Sequence, residues 1–276
     1  TAIYVVSELE EKGYELHVAD IMQKETFADI AKAMTETSDK AVYEQNEVNG
    51  FVPFSPIMRA AVNENGNIPK NFTHTCIISA ECNEAEAKKA FDALVLHHDI
   101  LRGSFTSEGI EVFSLSEREV YSFDSIVIDD TVKAKEYLNS AEVDTDKLIN
   151  ILFCYTKNES LIRITVHHFL IDLVSWEILI KDFYTVLEQI RNNIKITLPA
   201  KTASFMMWTK ELQRYAETIS ENRRKYWEDI DFELNRAKSL FAQGESENDA
   251  EEYTAIIDGD ILNKLTDKAG KTFGIR

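Results

Sequence analysis

The stretch that most constrains this chain runs from Leu161 to Ile190. Leu161 to Val166 is rich in β-branched residues, with Arg163 and Thr165 interrupting the apolar positions, which predicts a strand. Trp176, Leu179, Ile180, Phe183, Val186, Leu187 and Ile190 recur at helical spacing, so a helix follows, with Asp172 or Ser175 as its cap. His167 and His168 lie where the strand gives way to the loop. Successive strand residues point to opposite faces, so only one of the two easily faces any given cavity. Alone, such a pair reads as a core histidine beside a surface one. The informative unit is the whole string from His167 to Trp176.

Composition narrows what that string serves. The chain has 276 residues and 44% apolar content, enough for one large domain or two smaller ones. A net charge of −18 argues against nucleic-acid partners, because phosphate binding rests on clustered Lys and Arg. The acidic patch from Glu245 to Glu252 reads as a solvated loop. Cys76, Cys82 and Cys154 are odd in number and lack metal spacing, so they read as reduced thiols in a cytoplasmic protein, and no metal is expected. No apolar run approaches the roughly 20 residues of a membrane span, and no membrane partner is expected. Glycine is scarce and forms no phosphate cradle.

In chain order, Ile3, Val6 and Leu9 predict a helix that Gly13 closes. Val18 to Gln23 and Thr26 to Met34 predict two more, the second opened by Thr26 with Asp29 three residues on. Thr35 to Gly50 is polar and unpatterned and reads as a linker. His74 to Ala80 is a strand. Asn83 caps a helix with Glu86 at its third position, and Ala87, Ala90, Phe91, Leu94 and Val95 form its buried face. That helix ends in a second pair, His97-His98, which lacks the rest of the string and reads as structural. Gly103–Phe105 and Ile110–Phe113 form a hairpin. Ser125–Ile128 is a strand, Thr131–Leu138 a helix, and Ile149–Tyr155 pairs with Leu161–Val166. Ser204 caps a long helix running through Leu212, Tyr215 and Trp227. Tyr253–Ile257 reads as a strand and Ile261–Ala269 as a helix. The rhythm is a mixed α/β sandwich with helices on one side of a sheet.

The string His-His-x-x-x-Asp-x-x-Ser-Trp resembles the signature of the condensation-domain superfamily of nonribosomal peptide synthetases. Its ending, Ser175-Trp176, resembles the epimerization branch, and so does Ser204-Phe205-Met206-Met207-Trp208. Val52 to Arg59 is similar to the branch's opening motif, with Met58 where a Gln is usual and Ala60-Ala61 where aromatics are usual. Residues 1–36 resemble the second half of a peptidyl carrier protein, from just after its modified serine. The resemblance therefore implies part of a carrier (1–36), a linker (37–50) and the N-terminal lobe of a two-lobed, chloramphenicol-acetyltransferase-like domain (51–276). The family's second lobe, with its Glu-Gly-His-Gly-Arg-Glu motif, is not contained in this sequence.

The resemblance further implies an activity: inverting the α-carbon, L to D, of an aminoacyl or peptidyl thioester. Histidine suits the proton removal, because its unperturbed pKa near 6.5 leaves it mostly neutral at cytosolic pH. His168 would be the base and His167 would support the loop. Asp172 would pair structurally with Arg102, and Ser175 and Trp176 would shape the site. The cofactor would be 4′-phosphopantetheine on a carrier serine upstream of Thr1. Ser7, mid-helix, is no substitute. The partners would be that carrier protein and adjacent synthetase modules. Alternative readings are a condensation domain forming a peptide bond, or a non-catalytic carrier-docking module. Residues 1–276 alone are expected to be inactive.

Overall fold

The computed structural model describes residues 2–24, 26–36, 43–62, 67–157, 159–240, 254–269 and 272. The chain divides into two compact units, Thr1–Glu217 and Thr218–Arg276. No described helix is long and apolar enough to cross a membrane.

The first unit begins with α1 (Ala2–Glu11), β1 (Tyr14–Glu15), α2 (Val18–Gln23), α3 (Phe27–Ala33) and β2 (Thr35–Glu36). Gly13 ends α1 at a φ of 86°, a left-handed turn that suits glycine. The Thr26 hydroxyl accepts from the Asp29 amide at 3.2 Å. The Asp29 side chain accepts from that hydroxyl, so only half of a reciprocal capping box forms. Leu16 is a buried hydrophobic of this segment, while Phe27 is 91% exposed.

Next come β3 (Gly50–Pro53), α4 (Pro56–Ala61), β4 (Thr73–Ala80), α5 (Glu84–His97), β5 (Gly103–Phe105), β6 (Gly109–Val112) and β7 (Ser122–Val127). After them follow α6 (Thr131–Ser140), β8 (Ile149–Tyr155), β9 (Ser160–His167), α7 (Leu173–Arg191) and α8 (Phe205–Glu217). Asn83 and Glu86 exchange both bonds of a capping box at the start of α5, each at 2.9 Å. The hairpin β5–β6 is joined by β3 in a small antiparallel sheet. Ser55 caps α4 with Pro56 in its first turn, and Met58 is buried on it.

The main sheet has the order β4-β9-β8-β7. β9 is antiparallel to both neighbours, with Thr73 opposite His167 and Ile149 opposite Val166, while β7 runs parallel to β8 through the crossover helix α6. β9 is buried along its whole length. Its alternation sorts two cores. Ile162, Ile164 and Val166 join Phe91 and Leu94 of α5 and Phe183 and Val186 of α7. Leu161 joins Ala134 and Leu138 of α6 on the other face. Arg163 lies on that second face and donates to the carbonyls of Leu138, Ala141 and Glu142 at 2.6–3.0 Å, closing the end of α6. Helices therefore cover both faces of the sheet, where the sequence rhythm placed them on one. A central strand apolar at both parities needs a cover on each side.

Two further expectations change. Residues 43–49, read as linker, form a strap tied to the body. Gln45 exchanges two hydrogen bonds with the Lys201 backbone, and Glu47 accepts from the Leu115 amide at 3.1 Å. These ties are polar, so hydrophobic periodicity carries no trace of them. The long helix from Ser204 is two helices, α8 and then α9 (Glu221–Leu240) in the second unit. Thr218 and Ile219 are β-branched, and the Ser220 carbonyl accepts from the Arg223 and Arg224 amides in the first turn of α9. The Ser204 cap itself forms, its hydroxyl accepting from the Met207 amide at 3.1 Å.

In the second unit, Thr254–Ile257 carry no strand, and Tyr253 lies outside the described residues, as does the patch from Glu245 to Glu252. Asp258 caps α10 (Gly259–Asn263), which passes into a π-helical turn over Lys264–Ala269, where the sequence suggested one helix.

Candidate active site

The candidate site is built where β9 ends. His167 is its last residue and is 2% exposed. Its Nε2–H donates to the Pro69 carbonyl at 3.0 Å, and its Nδ1 accepts from the Phe169 amide at 3.2 Å. A carbonyl only accepts and an amide only donates, so both nitrogens are committed to the neutral ring. Phe72, Phe105 and Phe169 enclose it edge-on. Burial pushes its pKa down; the Pro69 carbonyl opposes that and positive charge on His168 adds to it. His167 is the post on which the loop stands.

His168 is half-buried and turns the other way. Its amide donates to the Phe72 carbonyl at 2.8 Å. Its Nδ1–H donates to the Ile171 carbonyl, also at 2.8 Å. That fixes the tautomer of the neutral ring, and the lone pair of Nε2 is left for chemistry. The ring stacks on His74, centroids 3.9 Å apart, and leans on Phe72 at 4.7 Å. The loop that delivers the Ile171 carbonyl is short because Phe169, Leu170 and Ile171 are all buried and anchor it.

Asp172 caps α7. Its Oδ1 accepts from the Ser175 amide at 2.8 Å and the Ser175 hydroxyl at 2.7 Å. Burial would raise this carboxyl; the bonds from Ser175 and the Val174 amide, with charge on His168, outweigh it and hold the pKa below the usual carboxylate range. Trp176, 8% exposed, anchors the first turn of α7 in the main core.

The expected pair of Asp172 with Arg102 does not form. Arg102 is fully buried elsewhere, with Asp99 at 2.8 Å, Glu47 at 3.3 Å, and the carbonyls of Phe113, Val95, Leu96 and Val48 around its guanidinium. With that shell filled, Arg102 has no need of a distant carboxylate. It locks the strap, the end of α5 and β6 together.

The other pair, His97-His98, lies at the end of α5. His98 Nε2 meets Oδ2 of the buried Asp182 on α7 at 2.9 Å. Among the described residues, His97, His98 and Asp182 form the one cluster whose ligand atoms come within 4.8 Å of one another and could hold a metal ion. They border a cleft of about 290 Å³ with Lys181, Lys201 and Glu177. Lys201 pairs with Asp99 there at 3.0 Å.

Of the residues singled out in the sequence, the structure gathers His167, His168, Asp172, Ser175 and Trp176 around the end of β9 and the start of α7, and places Arg102 elsewhere. Sequence reasoning missed His74, Phe72 and the Ile171 carbonyl. His74 sits in a predicted strand, but only the β4–β9 register brings it to His168.

Among known proteins, a family model described as "Condensation domain" matches residues 58–272. Bacitracin synthase 3 of Bacillus licheniformis is 25% identical over 241 residues, covering 82% of this chain and 4% of that protein. Tyrocidine synthase 2 of Brevibacillus parabrevis is 26% identical over 249 residues, covering 83% of this chain and 7% of that protein. Among solved structures, the epimerization domain from the third module of tyrocidine synthetase B superposes with a TM-score of 0.56 at 24% identity, covering 68% of this chain and 46% of that one. The chain spans a small fraction of the curated relatives it matches. With its match running from α4 into the second unit, the chain belongs to the condensation domain family.

Proposed function

We propose that this chain is part of a nonribosomal peptide synthetase and serves the inversion of an α-carbon, L to D, in an aminoacyl or peptidyl thioester on a carrier protein. The observation that carries the reading is the His168 ring, with Nδ1–H spent on the Ile171 carbonyl and Nε2 available. Nε2 takes the α-proton; the C–H electron pair moves into the thioester carbonyl as an enolate. A second acid/base group then returns a proton to the opposite face. Such a positioned base typically contributes roughly 10²–10⁴-fold. His167, locked neutral, keeps the loop in place, and the Asp172 cap fixes where α7 starts. The Ser175-Trp176 ending and the shared fold with an epimerization domain favour this branch.

In this reading the substrate arm is phosphopantetheine on the serine of a carrier protein, and Ser7 lies within α1. Carrier protein and neighbouring modules are the proposed partners.

The family model itself favours a second reading, peptide-bond formation, in which the same Nε2 takes a proton from an attacking amine. One experiment separates them. The full-length protein containing this segment is loaded with an L-aminoacyl or peptidyl thioester in D₂O. Deuterium at the α-carbon and D-product by chiral chromatography, both lost in His168→Gln, are expected. Peptide-bond formation without α-deuteration would replace the first reading by the second.

A further inference from the structure

His74 on β4 lies opposite Val166 on β9, so the two side chains share one face of the sheet. His168 follows Val166 by two positions, and its ring lies over that of His74. The centroids are 3.9 Å apart and the planes 27° apart. The Ile171 carbonyl holds one edge of the His168 ring by a single hydrogen bond. One such bond fixes a point and leaves the plane free to turn about it. A flat neighbour in van der Waals contact removes that freedom.

We propose that His74 is a positioning residue for His168, whose stacked ring sets the plane in which Nε2 faces the substrate. This deepens the assignment of His168 as the base and rests on it.

A like charge within about 4–6 Å disfavours protonation, so two stacked imidazoles resist carrying two protons. Burial lowers the proton affinity of His74 first; charge on His168 lowers it further, and Asp172 acts in the opposite direction. Charge on His168 also acts on His167, and Cys76 lies two residues from His74 on the same strand face.

The test uses the full-length protein with its carrier loaded, and two variants checked first by thermal melting. His74→Ala removes the wall; α-proton exchange is expected to fall on the order of 10²-fold, the cost of a small misplacement of a reacting group, at unchanged thioester KM. His74→Phe restores a flat wall without a second imidazole. It is expected to recover most of the rate. An activity-free readout is ¹⁵N NMR of the labelled histidines. The His168 Nδ1–H tautomer should persist in the parent and in His74→Phe, and average in His74→Ala. A parental exchange rate and an unaveraged tautomer in His74→Ala would overturn the proposal, as would failure of His74→Phe to restore either. If His168→Gln itself retained exchange, the base assignment would fall, while the NMR comparison would still decide whether His74 orders the ring.

Discussion

At the end of α5, His98 turns Nε2 onto the buried carboxylate of Asp182 at 2.9 Å, while at the end of β9, His168 gives Nδ1–H to a backbone carbonyl at 2.8 Å. The dipeptide is the same and the elements end similarly. What differs is the partner. A carboxylate pairs with His98 in a polar strut between two helices, and Lys201 with Asp99 stands beside it. A neutral carbonyl orients His168 without adding a charge, and the second nitrogen stays available. The residue type therefore names a set of possible chemistries, and the hydrogen-bond partner selects among them.

The largest effect is expected where the first pair's surroundings are broken. Arg102→Ala leaves Asp99 and Glu47 without their guanidinium and should cost about 3–5 kcal/mol, read from denaturant midpoints. A cost under about 1 kcal/mol would contradict the reading of Arg102 as the lock of that region. Because Arg102 and Asp172 belong to separate networks, a double-mutant cycle with Asp172→Ala should be additive within about 0.5 kcal/mol. Coupling well above that would restore the ion pair inferred from family resemblance.

His98→Ala strands the Asp182 carboxylate and should cost about 1–3 kcal/mol, while exchange per folded molecule stays near the parent's. Loss of exchange in well-folded His98→Ala would erase the distinction between the pairs. Asp172→Ala loses a helix cap, worth about 0.5–2 kcal/mol.

The smallest effect is a pH slope. Burial depresses the pKa of His167 in the folded state, so the unfolded chain binds the proton more readily. Its contribution to stability is full above the unfolded value near 6.5 and is lost as pH falls below it. His97 and His74 are depressed in the same sense, burial leading in each. Midpoints should therefore fall as pH drops through this range, and His167→Gln should flatten part of that fall. An unchanged slope would mean His167 is not held neutral.

Much of the fold was legible because it is written in local periodicity. The alternation of Leu161–Val166, the apolar face of α5 and the caps at Asn83, Ser204 and Thr26 all lie within one turn or one strand. Four features were not legible. The cover of α6 on the second face, the strap at residues 43–49, the Arg102 shell and the His74–His168 stack each depend on residues brought together from distant positions. Arg163 shows the limit most plainly. In the sequence it interrupts a strand; in the fold it closes a helix on the far face of the sheet.

The proposed base is His168 and not His98. The most direct test is deuterium wash-in at the α-carbon of the carrier-bound thioester, compared across the full-length parent, His98→Ala and His168→Gln. Exchange is expected in the parent and in folded His98→Ala, with a loss of roughly 10²–10⁴-fold in His168→Gln and its unfolding midpoint little changed. Exchange at the parental rate in His168→Gln would contradict that assignment.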